Sequence, residues 1–179
     1  MKKQMKFTHK QVVFLVGVFM ATTAAAGTVQ VGFSPEGSAQ QLVLKTINSA
    51  QSSLRMMAYS FTDPAVMKAL IAARHRGVDV RIVIDADGNT GKASLAAMNL
   101  VTSAGIPLRT DGDFRIQHDK VIIVDNKSVE TGSYNYTTSA AKNNSENALL
   151  IEDAPELAAQ YLAHWEDCWQ RGQDWKTAY

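Results

Sequence analysis

Cysteine and long hydrophobic runs are both scarce in this sequence. Cys168 is the one cysteine among 179 residues, so no disulfide can form within the chain. Its neighbours on a predicted helix, Leu162, Trp165 and Trp169, are apolar, so we expect its thiol to lie in the core. The most apolar stretch, residues 12–20, is shorter than the roughly 20 residues that a helix needs to cross a bilayer.

Several common catalytic and metal-binding patterns are missing. No serine stands in a G-x-S-x-G turn, and no group of cysteine and histidine residues has the spacing of a zinc site. Segment 85–89 resembles the start of a calcium loop, but Thr90 and Ala96 stand where that loop requires glycine and glutamate. We interpret His164, on the last predicted helix, as a surface or core-edge residue rather than a ligand.

The first 26 residues have the features of a secretory signal peptide. Four lysines precede the apolar residues 12–20, and three alanines at positions 24–26 follow, which is the order of a charged, an apolar and a cleavage region. We therefore predict cleavage after Ala26 and a mature chain that begins near Gly27. The alternative is an uncleaved membrane anchor. After cleavage, we expect a periplasmic or secreted protein that is not inserted in a membrane.

The charge balance changes once that segment is removed. The whole chain has 18 basic and 17 acidic residues, but four of the lysines lie within residues 1–26. The mature chain therefore carries 14 basic and 17 acidic residues, a net charge of −3. A net negative charge excludes nucleic-acid binding through the overall electrostatic field of the protein. Such binding therefore needs a local basic surface. Four residues would supply it if the fold brings them together: Arg55, Arg109, Arg115 and Lys142.

Residues 27–179 alternate between strand and helix patterns and suit one domain. The strand patterns cover residues 29–33, 53–60, 78–84, 106–109, 120–124, 128–131 and 146–151, and the helix patterns cover residues 38–50, 63–76, 92–103 and 155–170. A βαβαβ order at the start is typical of parallel strands joined by helices, and residues 125–127 indicate a hairpin turn. We therefore predict an α/β fold with a mixed, mostly parallel sheet flanked by helices on both faces.

One composite pattern in the second half of the chain is the most informative. It has the form H-x-K-x4-D-x6-G-S-x-N and consists of six residues: His118, Lys120, Asp125, Gly132, Ser133 and Asn135. Alternation along a strand places His118 and Lys120 on the same side. Ser133 and Asn135 follow the partner strand of the hairpin, so we expect them at the same end of the sheet.

These residue types suit attack on a phosphodiester. A neutral imidazole can attack phosphorus without first losing a proton, which makes His118 the candidate nucleophile. Lys120 and Asn135 can donate hydrogen bonds to phosphoryl oxygens as negative charge develops, and Gly132 lets the backbone approach a phosphate closely. The second nitrogen of the imidazole needs an acceptor to fix its tautomer, and Glu146 is the best candidate.

The pattern resembles the HKD signature of the phospholipase D superfamily. Three further segments, residues 29–35, 56–62 and 143–147, are similar to small exported, EDTA-resistant endonucleases of that superfamily, some of which are carried on conjugative plasmids of Gram-negative bacteria. The resemblance covers essentially the whole predicted mature chain. It implies a phospholipase D-like fold and an enzyme that needs no metal and no other cofactor.

The resemblance also implies a role for each residue of the pattern. His118 would form a phosphohistidine intermediate, and Glu146 would orient its imidazole. Asp125 and Gly132 would support the structure of the motif rather than take part in the chemistry. Three residues would bind the substrate phosphate: Lys120, Ser133 and Asn135.

One function is favoured, and two alternatives remain. We expect a nonspecific endonuclease that hydrolyses DNA, and RNA as well. The alternative enzyme is a phospholipase D-type lipid phosphodiesterase, since both activities use the same catalytic residues. The third interpretation, a catalytically idle nucleic-acid-binding module, conflicts with the intact His118, Lys120 and Asn135.

The single copy of the motif predicts a dimer. A covalent mechanism needs a nucleophile and also an acid for the leaving oxygen, and superfamily members with two motifs have one histidine for each task. Neither His75 nor His164 has a matching lysine and asparagine around it. We therefore expect a twofold homodimer in which His118 of each chain faces one shared phosphate site.

Overall fold

A computed structural model describes residues 27–177, within which eight strands form one sheet. The strands are β1 (Val29–Ser34), β2 (Ser53–Ala58), β3 (Asp79–Asp85), β4 (Leu108–Asp111), β5 (Lys120–Val124), β6 (Ser128–Gly132), β7 (Glu146–Ile151) and β8 (Gln173–Asp174). The helices are α1 (Ser38–Ser49), α2 (Pro64–His75), α3 (Lys92–Ser103), α4 (Thr138–Lys142) and α5 (Pro155–Arg171). The predicted signal peptide, residues 1–26, lies outside the described residues.

The strands of the sheet follow the order β1-β7-β6-β5-β2-β3-β4-β8. Strands β2, β3 and β4 are parallel neighbours. The other five neighbouring pairs are antiparallel. The prediction of a mixed α/β sheet with helices on both faces is confirmed, but the prediction that the sheet is mostly parallel is wrong.

Two features of the connections explain why the sheet is mostly antiparallel. Residues 125–127, between β5 and β6, are too few for a crossover helix, so these strands must run in opposite directions. Strand β1 lies at the far edge of the sheet beside β7, not beside β2. The crossover through α1 therefore creates no adjacent parallel pair, although the strand-helix-strand pattern itself is present.

Local signals fix the ends of α2, the helix that the sequence pattern predicts at residues 63–76. The side chain of Asp63 accepts a hydrogen bond from the backbone N–H of Ala65, and Pro64 occupies the first turn. Gly77 follows the helix with a φ of 92°, a conformation that a side chain would disfavour. The helix therefore begins and stops where the chain must turn back toward β3.

The sheet separates two hydrophobic cores. Helices α1 to α4 cover one face, where Leu54, Ile82 and Ile122 are fully buried. Helix α5 covers the other face, where Trp165 and Cys168 are buried against β2 and β5. The prediction of a core cysteine is confirmed, because Cys168 has no exposed surface.

Across residues 27–177, none of the helices combines the length and the hydrophobicity that a membrane span requires.

Candidate active site

All the predicted site residues except Asp125 converge at one end of the sheet. There β2 and β6 end while β5 and β7 begin, because β5 is antiparallel to both β2 and β6, and β7 is antiparallel to β6. Lys120 at the start of β5 pairs with Ala58, and Gly132 at the end of β6 pairs with Ala148. Segments far apart in the sequence thus meet at one edge.

His118 lies two residues before β5, and its side chain is exposed to solvent. Its ring packs against the ring of Tyr59, with 4.7 Å between the centroids and 56° between the planes. The backbone N–H of Tyr59 donates to the carbonyl of Asp119 at 2.9 Å, which fixes the two segments together. Tyr59 therefore supports the candidate nucleophile. No pattern in the sequence predicts this role, because it depends on the pairing of β2 with β5.

Lys120 is held close to His118 in a mostly buried position. It is 6% exposed, and its Nζ donates a hydrogen bond to the backbone carbonyl of His118 at 2.7 Å. The ammonium also lies 5.3 Å from the centroid of the Tyr59 ring. Burial lowers the pKa of Lys120 below its ordinary value, and the charges of Asp119 and Glu146 oppose that shift. A phosphate beside this partly desolvated ammonium would interact with it more strongly than in bulk water.

Ser133 and Glu146 form a hydrogen-bonded pair beside this lysine. Ser133 Oγ donates to Glu146 Oε2 at 2.6 Å, and the amide of Asn144 donates to Glu146 Oε1 at 2.9 Å. The backbone N–H of Asn147 donates to Ser133 Oγ at 3.0 Å. Within the described residues, Glu146 makes no hydrogen bond to the imidazole of His118. Its orienting role therefore stays a prediction.

Asn135 and Gly132 occupy the end of β6 and the loop that follows. The Oδ1 atom of Asn135 is buried and has no hydrogen-bond partner among the described residues. At Gly132, a Cβ atom would lie 2.3 Å from the carbonyl oxygen of Asn147. The close approach that this glycine permits is therefore between β6 and β7, a structural reason beyond the predicted approach to a phosphate.

Asp125 lies at the opposite end of β5, away from the other motif residues. Its carboxylate accepts hydrogen bonds from the backbone N–H groups of Gln51, Ser52 and Ser53 at 3.0, 2.8 and 2.9 Å. Burial raises the pKa of Asp125, but these hydrogen bonds lower it more, so the pKa falls below its ordinary value. Asp125 thus ties the α1–β2 loop to the β5–β6 turn.

Two of the four basic residues considered for a local positive surface have structural partners on the α5 side of the sheet. Arg55 donates to Asp79 at 2.6 Å, and Arg109 donates to Asp174 at 2.7 Å. Their guanidinium groups also lie over tryptophan rings of α5. The other two are exposed: Arg115 and Lys142.

The assembled site combines four chemical groups. It presents an exposed imidazole, an adjacent ammonium, a hydroxyl that donates to a carboxylate, and an amide whose oxygen has no hydrogen-bond partner within residues 27–177. An imidazole can act as a nucleophile, and the ammonium and amide can hold the oxygens of a phosphate. The arrangement is therefore suited to the transfer of a phosphoryl group to histidine.

Comparison with known sequences places these residues in a family context. A family profile described as "Cardiolipin synthase, PLD-like domain" matches residues 43–169. A phospholipase D of Rickettsia prowazekii is 36% identical over 150 residues, which are 84% of this chain and 72% of that protein. A mitochondrial cardiolipin hydrolase of Mus musculus is 35% identical over 137 residues, which are 76% of this chain and 61% of that protein.

Solved structures give a closer match. Nuc from Salmonella typhimurium, described as a phospholipase D family member, is 63% identical, with a TM-score of 0.83. The match covers 84% of this chain and 99% of Nuc. NucT from Helicobacter pylori is 21% identical with a TM-score of 0.71, which is a similarity of fold alone.

Proposed function

The chain belongs to the phospholipase D-like family, and from this membership we propose that it is a metal-independent, nonspecific endonuclease that hydrolyses DNA and RNA. One observation carries the proposal. His118, Lys120, Ser133 and Asn135 come together at one end of a sheet, in a chain that is 63% identical to Nuc across 99% of that protein. The resemblance of the sequence to small exported, EDTA-resistant endonucleases favours nucleic acid as the substrate.

The proposed reaction proceeds in two displacements at phosphorus. An imidazole nitrogen of His118 bonds to phosphorus while the bond to the leaving oxygen breaks, and that oxygen receives a proton from an acid. Water then attacks the phosphohistidine, which releases the phosphate product and restores the imidazole. Lys120, Ser133 and Asn135 bind the phosphoryl oxygens, and Glu146 orients the imidazole.

The acid in this scheme is supplied by a second copy of the chain. Each chain brings one motif histidine, so we place His118 of two chains on either side of a shared phosphate site in a twofold dimer. An uncovered apolar surface adjoins the site and supports this arrangement. Val29, Val31 and Phe33 of edge strand β1 are 62%, 55% and 49% exposed, and Phe33 pairs with Asn147 beside Ser133. A second copy would cover these side chains.

The proposed place of action is the periplasm or the medium outside the cell. This part of the proposal rests on the signal-peptide features of residues 1–26. A nuclease that is active without added metal or cofactor would not damage the DNA of its own cell when it acts outside the cytoplasm.

A phospholipid is the second candidate substrate. The relatives named phospholipase D and mitochondrial cardiolipin hydrolase are 36% and 35% identical to the chain, respectively, and this similarity favours a phospholipid substrate. The chain spans 61% of the length of the mouse protein. The same His118 chemistry would then act on a lipid phosphodiester, with the headgroup alcohol as the leaving group.

A direct comparison of substrates tests the proposal. The purified protein is incubated with supercoiled plasmid DNA and, separately, with vesicles of phosphatidylcholine and of cardiolipin, each with and without excess EDTA. We expect the plasmid to be nicked and linearised at the same rate in EDTA, while the lipids stay intact. Lipid hydrolysis with intact plasmid would establish the second candidate. Loss of cleavage in EDTA that magnesium or zinc restores would contradict the metal-independent mechanism.

A matched pair of histidine variants identifies the nucleophile in the same assay. His118→Ala should lose nearly all cleavage and keep its fold, because the exposed imidazole contributes little to the core. His75→Ala, which changes an exposed histidine at the end of α2, should keep wild-type activity. An active His118→Ala protein would show that another residue attacks the phosphate.

A further inference from the structure

Three side chains with metal-binding atoms converge on the α5 side of the sheet, behind the candidate active site. Asp119 stands between His118 and Lys120 in the sequence, directly before β5, and alternation along the extended segment that continues into β5 turns it toward α5. The neighbouring Val121 confirms that direction, because it packs in the core beneath α5. On α5, His164 and Cys168 are four residues apart and so lie on one face of the helix.

The ligand atoms of these side chains are close together. His164 Nε2 lies 3.5 Å from Asp119 Oδ2 and 3.9 Å from Cys168 Sγ. One carboxylate oxygen, one imidazole nitrogen and the sulfur all lie within 4.8 Å of one another. Three different donor types thus surround one point between β5 and α5.

These separations are close to those of a tetrahedral zinc site. Zinc bonds of about 2.0–2.3 Å at tetrahedral angles place neighbouring ligand atoms roughly 3.3–3.6 Å apart. The observed 3.5 and 3.9 Å distances therefore need a movement of a few tenths of an ångström at most, and the third pair needs somewhat more. The mixture of thiolate, imidazole and carboxylate favours a borderline-soft ion such as Zn²⁺ over Ca²⁺ or Mg²⁺, which prefer oxygen ligands alone.

A simple ion pair explains only part of this arrangement. The side chains of His164 and Asp119 are 47% and 32% exposed, and a pair in such a position contributes little to stability. The ion pair also gives no reason for the position of the Cys168 thiol beside the same imidazole nitrogen. A metal ion would use all three groups, and the exposed His164 gives it a route from solvent.

We propose that Asp119, His164 and Cys168 form a zinc-binding site that is separate from the phosphodiester site. Zn²⁺ would bind the Cys168 sulfur, His164 Nε2 and an oxygen of Asp119, and the thiol proton would pass to solvent. Water or an external ligand would take the fourth position. The sequence could not reveal this site by spacing, since Asp119 comes from a different element than the two helix ligands. The site does not depend on the proposed nuclease function, because the Asp119 side chain faces away from Lys120.

Titration of the EDTA-stripped, dialysed protein with Zn²⁺ tests the site. Calorimetry should show one ion bound per chain, with a dissociation constant on the order of micromolar or tighter. Co²⁺ in place of Zn²⁺ should produce the near-ultraviolet absorption of a cobalt–thiolate bond. Zn²⁺ should also raise the melting temperature, since an ion that binds only the folded chain stabilises it. Absence of zinc binding would overturn the proposal.

Variants assign the ion to these three side chains. His164→Ala and Asp119→Asn change partly exposed residues and should weaken zinc binding at least tenfold, and Cys168→Ser should remove the cobalt–thiolate absorption. His75→Ala and His118→Ala should bind zinc as the wild type does. Unchanged binding by His164→Ala, or loss of binding by His118→Ala, would overturn the assignment. Zinc binding and DNA cleavage are measured in separate assays. The zinc titration can therefore be interpreted even if the protein does not cleave DNA.

Discussion

Lys120 donates a hydrogen bond from its Nζ to the backbone carbonyl of His118 at 2.7 Å. The lysine is almost fully buried, and the same ammonium lies over the Tyr59 ring against which His118 packs. The hydrogen bond therefore fixes the backbone that carries the imidazole, and it also fixes the position of the ammonium. A phosphate attacked by His118 would lie next to a positive charge that is already in place.

Replacement of this lysine should abolish most of the activity. Lys120→Ala removes a charge-assisted donor to the phosphoryl oxygens and the hydrogen bond to His118, so we expect a loss of several orders of magnitude in kcat/KM on plasmid DNA. Lys68→Ala is the matched control, because Lys68 is exposed in the middle of α2. Circular dichroism would establish that both variants are folded. A Lys120→Ala protein with near-normal kcat/KM would exclude this role.

Asp125 should matter for stability and not for chemistry. Asp125→Ala leaves three backbone N–H groups, in the α1–β2 loop and at the start of β2, without their acceptor, so we expect a destabilisation of about 1–2 kcal/mol. Cleavage per folded molecule should stay at the wild-type level, because the residue lies at the far end of β5. Chemical denaturation and a cleavage assay below the melting temperature measure the two effects, with the exposed Asp167→Ala as control. A selective loss of cleavage would place Asp125 in the mechanism.

Glu130 should make the protein less stable as the pH rises. Its carboxyl is buried and accepts a hydrogen bond from the hydroxyl of Tyr136 at 3.0 Å. Burial raises its pKa from 4.5 to about 8, although the Tyr136 hydrogen bond opposes the shift. Between these values the unfolded chain has lost the proton that the folded chain keeps. Stability therefore falls with rising pH, by up to about 1.4 kcal/mol per pH unit.

A glutamine variant isolates this contribution. Glu130→Gln cannot titrate, so its stability relative to the wild type should improve between pH 5 and pH 8. Urea unfolding at a series of pH values measures the difference, and Glu156→Gln, which alters an exposed residue on α5, should show no such trend. A constant difference between Glu130→Gln and the wild type across this range would mean that Glu130 is ionised in both states.

Local patterns in the sequence predict most of the elements but not their arrangement. Alternation and the turn at residues 125–127 identify the β5–β6 hairpin, and the Asp63-Pro64 pair identifies the start of α2. The order of the strands depends on pairings between distant residues, such as Ala58 with Lys120, which no local pattern encodes. Helix α4 and strand β8 are too short to show a period, so no pattern in the sequence predicts them.

The site shows the same division between local and distant information. The spacing of the motif correctly brings His118 and Lys120 together, because both belong to one extended segment. It does not identify Tyr59, which comes from β2, or the approach of Asp119 to His164 on α5. Each of these contacts depends on how β5 pairs and which helix covers it. Contacts between motif residues that are near in sequence were therefore easier to predict than the side chains that surround them.

Export should remove the first 26 residues. Four lysines, a short apolar stretch and three alanines in succession predict cleavage after Ala26. N-terminal sequencing and intact mass of the protein from a periplasmic extract should show a chain that begins near Gly27. Recovery of the full-length chain in the membrane fraction would instead indicate an uncleaved anchor.

The dimer proposal predicts the mass of the protein in solution. Sedimentation at micromolar concentration should give twice the mass of the mature chain. Phe33→Glu should shift the protein toward the monomer and reduce cleavage, because it places a charge on the exposed apolar surface of β1. Lys45→Glu, which alters an exposed residue of α1, should leave the dimer intact. A fully active monomer would show that one chain contains a complete site.

Mixed dimers test whether the two histidines cooperate at one phosphate. Wild-type and His118→Ala chains with different affinity tags are co-expressed, and the mixed species is isolated by successive purification on both tags. If one imidazole attacks while its twofold mate protonates the leaving oxygen, the mixed dimer lacks either its nucleophile or its acid. Its activity should then fall far below half of the wild-type value. A mixed dimer with half of that activity would mean that each chain attacks and protonates alone, so another group near Lys120 would have to supply the proton.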